Sequence, residues 1–424
     1  MDQLENAPRG SALDTRWIEL DALRGFAVMG ILAMNIIAFA LPEDAYFLPR
    51  VPGTGPATAA DVGSWIAAFL LFDGKMRGLF SLLFGASLYL VAERAEAAGH
   101  SAARVHYSRM FWLGLFGAAH FFLIWWGDIL FLYAVIGCFA FLMRGAATRT
   151  LIVTALVVYA AGFAILCLSL GTMFSIQAAA QAPGASPASV ERFAAMMEGF
   201  SAAAQAEEIA LFRSGYGAIL DFRLSQWWRP LNLLFQAGTE TFPLMLLGMA
   251  GVRSGILTGT WDRRRYRQLL WALLLPGMLI YAVLAALNWS RGFDPIFSLN
   301  LVVAWSLPAR LMTTIGYAAL FMLIIRTMRS GGVLPWIAAT GRAAFTNYLG
   351  TSIVMTTLFY GYGFGLFAQV PRAALYGIVA AMCGVMLLWS KPWLDRYRYG
   401  PLEWLWRSLA RGRPQPMHEA PAVR

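Results

Sequence analysis

Runs of about 20 apolar residues, long enough to cross a hydrocarbon layer of about 30 Å, recur along the chain. They predict ten helices, near 24–41, 63–91, 108–126, 128–144, 150–173, 232–252, 268–288, 301–326, 340–361 and 372–390. The second run is long and carries charges in its middle. The third and fourth are joined by a tight turn at Trp126-Gly127-Asp128. The expected organisation is an N-terminal segment 1–23, a five-helix half 24–173, a loop 174–231, a second five-helix half 232–391 and a tail 392–424. Segment 1–23 is polar, and no small-residue cleavage site follows the first apolar run, so it does not read as a cleaved signal.

The loop 174–231 has its own pattern. An Ala/Pro/Gly/Ser-rich stretch gives way to an amphipathic helix over Ser189 to Phe212, with Phe193, Met196, Met197 and Phe200 on one face. Trp227 and Trp228 mark the return to an interface. The segment reads either as a passive linker between the halves or as a lid over a site. No internal repeat is visible.

Composition narrows the class. The chain is 59% hydrophobic and only 13% charged, with a mean hydropathy of +0.59. A soluble domain carries about 25% charged residues. This chain could not cover a water-facing surface, so a soluble globular protein and a disordered chain are both excluded. The expected fold is all-α, a polytopic transmembrane bundle.

The net charge of +10 does not indicate a nucleic-acid partner, because its placement explains it. Arg94, Arg104, Arg109, Arg144, Arg149, Arg253 and the run Arg263 to Arg267 fall in one set of connections, as do Arg342, Lys391 and the tail arginines. The opposite connections hold Arg50 and Arg291 beside Glu43, Asp44, Asp61 and Asp294. By the positive-inside rule both termini are expected in the cytoplasm. Cys138, Cys167 and Cys383 lie in apolar stretches and make no disulfide framework. Gly114, Gly117 and Ala118 allow close helix packing, within the chain or across a homodimer.

The polar residues inside the runs are the functional candidates, because burying ionisable groups in a membrane is costly. Asp73, Lys75 and Arg77 lie in the second run, His120 in the third, Glu240 in the sixth and Arg310 in the eighth. Asn35 and Asn347 are the neutral ones. At a rise of 1.5 Å per residue, Asp73, Glu240, Arg310, His120 and Asn35 all fall about 12–15 Å from one membrane face. Lys75 and Arg77, with Arg24 and Arg342, read as a positive route for an anionic ligand entering from the cytosol. Arg104 and Arg109 read rather as topology-setting arginines.

His120 is the sharpest of these features. His100, His106 and His418 are expected in connections or the tail. A carboxylate at the depth of His120, either Asp73 or Glu240, would orient it as a general base. Asp128 reads first as a helix cap and second as a substrate contact. The His/Cys spacings of a zinc site are missing, so no metal is expected. The groups would equally serve a transporter, as a proton relay or substrate site.

Several stretches carry a family resemblance. Leu20-Asp21-Ala22-Leu23-Arg24-Gly25-Phe26-Ala27, Phe72-Asp73-Gly74-Lys75-Met76-Arg77 and the segment His120 to Leu130 resemble YeiB-like proteins. So do Leu246-Leu247-Gly248-Met249-Ala250, Gly341-Arg342-Ala343-Ala344-Phe345-Thr346-Asn347-Tyr348 and Gly400-Pro401-Leu402-Glu403-Trp404. That family looks related to the transmembrane acyltransferases, which include heparan-alpha-glucosaminide N-acetyltransferase and bacterial glycan O-acyltransferases. Leu23-Arg24-Gly25 is similar to their start. Arg109 and His120 match the Arg-x10-His spacing of the O-acyltransferase branch in different surroundings.

The resemblance implies acyl-CoA, in the first place acetyl-CoA, as donor and an intramembrane His at His120. The CoA phosphates would sit near Arg24, Lys75, Arg77 and Arg342. Asn35, Asn347 or Arg310 would stabilise an oxyanion. The acceptor would be an external glycan, lipid or small molecule, and the location a bacterial inner membrane.

Overall fold

The computed structural model describes residues 18–50, 57–328 and 332–418. Most of the expected N-terminal segment, residues 1–17, and the last expected tail residues, 419–424, lie outside them. Among the described residues every regular element is helical. In chain order these are α1 (Ile18–Ala40), α2 (Ala59–Leu71), α3 (Lys75–Ala97), α4 (Ala102–Ala119), α5 (Leu130–Leu142) and α6 (Thr148–Gln181). Then come α7 (Pro187–Met197), α8 (Ala202–Phe212), α9 (Tyr216–Ser225), α10 (Arg229–Arg253), α11 (Arg263–Ser290) and α12 (Pro295–Trp305). The chain finishes with α13 (Leu307–Thr327), α14 (Leu334–Arg342), α15 (Ala344–Phe359), α16 (Arg372–Arg396) and α17 (Pro401–Arg411).

Five of the described helices, α1, α6, α11, α13 and α16, are long and apolar enough to cross a membrane. Three of the expected spans are broken instead. The run 63–91 divides at Phe72-Asp73-Gly74, where Gly74 takes a φ of 65°, a left-handed turn that glycine makes without strain. The run 301–326 divides between α12 and α13, where Arg310 takes the freed Val302 carbonyl. The run 340–361 divides at Ala343. Non-helical backbone at membrane depth is tolerated where protein buries it, and side chains satisfy these breaks.

Helices α3 and α10 pack together at the centre, with α1 against α3, α14, α15 and α16. The α1–α14 crossing is very close. A Cβ on Gly341 would lie 1.8 Å from the Asp21 carbonyl oxygen, and one on Gly25 would lie 2.2 Å from that of Ile337. Gly114 and Gly117 face α5 within the chain, against Ala134 and Phe131. The outward faces of α6, α11 and α16 expose Leu168, Trp271, Leu279 and Leu388, the apolar surface that a lipid-facing helix needs.

At one end of the bundle, α7 folds back on α6 while α8 and α9 form a docked cap. The Gly361 N–H donates to the Phe212 carbonyl at 2.8 Å, Arg213 Nε to the Phe367 carbonyl at 2.7 Å, and the Glu43 N–H to Glu208 at 3.1 Å. Phe193, Met196, Met197 and Phe200 are half-buried. At the opposite end, α17 lies across α4 and α15. Glu403 accepts the Phe345 and Thr346 N–H groups at 2.7 and 3.1 Å, capping the start of α15.

Candidate functional site

The last turn of α4 widens into a π turn over His120–Ile124, and the chain then reverses through Trp125 to Asp128. Single π turns often sit at functional positions, because the extra residue re-aims a side chain. Here the reversal returns Asp128 to His120. His120 Nδ1 lies 2.8 Å from Asp128 Oδ2, and the two residues are 1% and 4% exposed. The other carboxylate oxygen, Oδ1, accepts the Phe131 N–H at 2.8 Å and so caps α5.

An ionised carboxylate only accepts hydrogen bonds, so Nδ1 bears the proton, and in the neutral ring the lone pair is on Nε2. His120 Nε2 is buried and has no hydrogen-bond partner among the described residues. His106, on the same helix, provides the contrast. It was expected in a connection, yet it is buried in α4, stacked on Phe141 at 4.3 Å, and its Nε2 meets the Gly137 carbonyl at 3.1 Å. His106 is a satisfied core histidine, whereas His120 is oriented at one nitrogen and lacks a partner at the other among the described residues.

Aromatic residues hold the His120 turn. Tyr348 of α15 lies 5.3 Å away, ring to ring, and its hydroxyl accepts the Ile129 N–H at 3.3 Å and donates to the Gly127 carbonyl at 3.4 Å. Trp125 stacks on Phe39 at 3.9 Å. Tyr348 and Phe39 also line a narrow cleft between α1 and α15, about 240 Å³ counting its open mouth, together with Asn35, Thr351 and Ser352. The Thr351 hydroxyl and Trp125 Nε1 are buried without a partner among the described residues.

Asp73 and Glu240 do not orient His120. They belong to a charge cluster at the helix breaks. Glu240 Oε2 accepts from Arg77 at 2.6 Å and from Arg310 at 3.0 Å, and Asp73 Oδ2 lies 3.6 Å from Arg310. Arg310 also donates to the Val302 carbonyl at 2.7 Å and to Ser306 Oγ at 2.9 Å. The Tyr281 hydroxyl donates to the Asp73 carbonyl at 3.3 Å, and Tyr317 to that of Leu71 at 3.0 Å.

The positive route expected from Lys75 and Arg77 to Arg24 and Arg342 is not assembled. Lys75 is wholly buried. Its ammonium donates to the Phe69 and Asp73 carbonyls at 2.8 and 3.3 Å and sits 3.1 Å over the Tyr281 ring. Arg77 is held by Glu240. Arg24 sits nearer the opposite end, on Asp21 at 3.1 Å and Ser87 at 2.8 Å, and Arg342 donates to the Arg398 carbonyl at 3.3 Å. Asn347 is used up structurally: its amide donates to Thr340 O and Ser390 Oγ at 3.0 and 3.1 Å and accepts from Trp389 at 2.8 Å.

The residues of the expected common level therefore fall into two sites. A second cleft, lined by Met34, Ile37, Tyr46, Asp73 and Arg372, borders the charge cluster. On α1, Met34 and Ile37 face away from Val28, Ile31, Leu32 and Asn35, which line the first cleft, by roughly half a turn at 100° per residue. Helix α1 separates the two. Among the described residues no group of three His, Cys, Asp or Glu could hold a metal ion.

A family described as a protein of unknown function (DUF418) matches residues 251–413. The uncharacterized protein YeiB of Escherichia coli (strain K12) is 34% identical over 400 residues, covering 93% of this chain and 96% of the relative. The uncharacterized protein YxaH of Bacillus subtilis (strain 168) is 31% identical over 417 residues, 92% of each chain. No solved structure matches.

Proposed function

From the premise that the chain belongs to the YeiB-like family, and from the His120–Asp128 pair, we propose a membrane-embedded acyltransferase of the bacterial inner membrane. It takes a short acyl group, acetyl first, from acyl-CoA and passes it to an acceptor hydroxyl or amine on a glycan, lipid or small molecule. The tail end, rich in arginine, faces the cytoplasm and the cap end faces outside.

The observation that carries this reading is a buried histidine held at Nδ1 by a carboxylate, with no partner at Nε2 among the described residues, packed on Tyr348, which lines the cleft. Nε2 takes the proton of the acceptor O–H or N–H as that atom attacks the thioester carbonyl. The C–S bond then breaks and the thiolate takes the proton back from the imidazolium. Asp128 stabilises the imidazolium between the two steps. Asn35 and Thr351, which line the cleft, supply hydrogen bonds to the tetrahedral oxyanion.

The test uses purified full-length protein, acetyl-CoA and release of free CoA thiol. His120→Ala is expected to lower the rate by roughly two to four orders of magnitude. An unchanged rate would remove His120 from the chemistry.

The helix breaks favour a second reading, transport. Discontinuous helices meeting a buried Asp73–Arg310–Glu240 cluster are the arrangement in which many transporters place their site. Substrate flux into vesicles that needs a proton gradient, needs no CoA and is lost in Asp73→Asn would support it.

A further inference from the structure

Four guanidinium groups that the His120 chemistry does not use gather at the tail end of the bundle. Arg24 comes from α1, Arg109 from the first half of α4, and Arg407 and Arg411 from α17. Arg109 lies within electrostatic reach of the other three, and Arg407 within reach of Arg24 and Arg411.

Their counter-charges are few. Asp21 pairs with Arg24 at 3.1 Å, but Arg109, Arg407 and Arg411 form no ion pair among the described residues. Glu403 stands near Arg407 as a counter-charge without forming an ion pair with it; its oxygens accept from the N–H groups of Phe345 and Thr346 and from Thr346 Oγ1. Gln415, a neutral group, takes a hydrogen bond from Arg411.

The cluster is held in place rather than dangling. Ser108 Oγ donates to the Ala410 carbonyl at 2.7 Å, and Trp406 Nε1 to the Arg109 carbonyl at 2.9 Å, which fixes α17 over the start of α4. The Arg109 guanidinium carbon lies 4.3 Å over the centre of the Trp406 ring, and that of Arg407 lies 4.8 Å over the Tyr399 ring. A guanidinium held over a ring by cation–π attraction still has N–H groups to donate, and its planar fork matches two phosphate oxygens at once. Like charges held together at a half-buried interface repel, and a bound anion would offset that cost.

We propose that Arg24, Arg109, Arg407 and Arg411 form a site for a phosphate or diphosphate group, with α17 as its outer wall. The site stands without the acyl-transfer reading, but where that reading holds it fixes the donor's orientation. Arg109 and His120 are 120 − 109 = 11 residues apart on one helix, a rise of about 16 Å. A pantetheine-type arm of a dozen bonds, extended at about 3.4 Å per three bonds, spans roughly 14 Å. A diphosphate on the arginines would therefore deliver its thioester close to the His120 level.

Phosphate could come from a soluble ligand or from a lipid headgroup, and two arms of one experiment separate them. Full-length protein is placed in nanodiscs of neutral phosphatidylcholine, and pyrophosphate and adenosine 3′,5′-bisphosphate are titrated by calorimetry. A parallel preparation includes phosphatidylglycerol and measures lipid retention and competition with pyrophosphate. Saturable binding is expected, weakened at least about tenfold in Arg407→Ala/Arg411→Ala. The double lysine variant, Arg407→Lys/Arg411→Lys, is expected to recover part of it and controls for misfolding. Binding in neutral discs assigns a soluble ligand. Retained phosphatidylglycerol that is lost in the alanine pair, with no pyrophosphate binding, assigns a headgroup. Unchanged affinity and lipid retention in both the alanine pair and Arg109→Ala would overturn the site. His120→Ala should leave phosphate binding intact, so failure here and failure of the catalytic reading are separable.

Discussion

On α4 and the π turn that continues it, two histidines fourteen residues apart, His106 and His120, are both buried, and their hydrogen bonds distinguish them. His106 meets a carbonyl. His120 meets a carboxylate that cannot donate, which sets the tautomer of the neutral ring with the lone pair on Nε2. Asp128→Asn is isosteric and retains an oxygen to cap α5, but it can present a donor to Nδ1 and so favour the wrong tautomer. It should keep folded protein and lower CoA release by roughly two to four orders of magnitude, close to His120→Ala. Near-wild-type turnover in Asp128→Asn would separate the carboxylate from the chemistry. Glu240 behaves differently, because two arginines depend on it. Glu240→Ala leaves buried cations with too little counter-charge and should cost about 3–5 kcal/mol of stability, read by denaturation in detergent. A loss below 1 kcal/mol would show that the cluster is well hydrated.

At the scale of elements, the apolar runs were legible in the sequence and the breaks were not. A hydropathy window averages over Phe72-Asp73-Gly74, so 63–91 reads as one long span although Gly74 turns left-handed there. The same averaging hid the Asp128 contact. Depth counted along straight helices grouped His120 with Asp73 and Glu240, whereas the π turn and reversal bring back a residue eight positions on. Gly74→Ala tests the break: its Cβ would meet Arg310 Nε at 2.1 Å and take an unfavourable φ, so a clear drop in Tm is expected, and an unchanged Tm would refute this account of the break.

The cap offers a pH test. Burial lifts the Glu208 carboxyl from 4.5 to about 7, against the Glu43 N–H bond that favours the charged form, and burial also raises Asp44. The docked cap thus holds protons that a released cap gives up. Docking is strongest at low pH, weakens as pH rises from the ordinary carboxylate range to about 7, and levels off above it. Spin labels on α8 and α2 should report a longer or broader distance at pH 7.5 than at pH 5.5, with most of the change absent in Glu208→Gln. A full pH response in that variant would exclude Glu208 as its source.

For the whole molecule, the all-α bundle and its membrane character follow from the low charge and the apolar runs, and the arginine asymmetry gives the orientation proposed for it. What pattern alone could not supply is the division of buried polar groups into two sites on opposite faces of α1, since that depends on which face each helix turns inward. The central claim is transfer across the bundle through His120. Its most direct measurement uses proteoliposomes of the full chain with labelled acetyl-CoA supplied only on the tail side and acceptors only on the cap side. The account predicts label on a cap-side hydroxyl or amine for the wild type and none for His120→Ala. Equal labelling by both proteins, or labelling confined to the tail side, would contradict it.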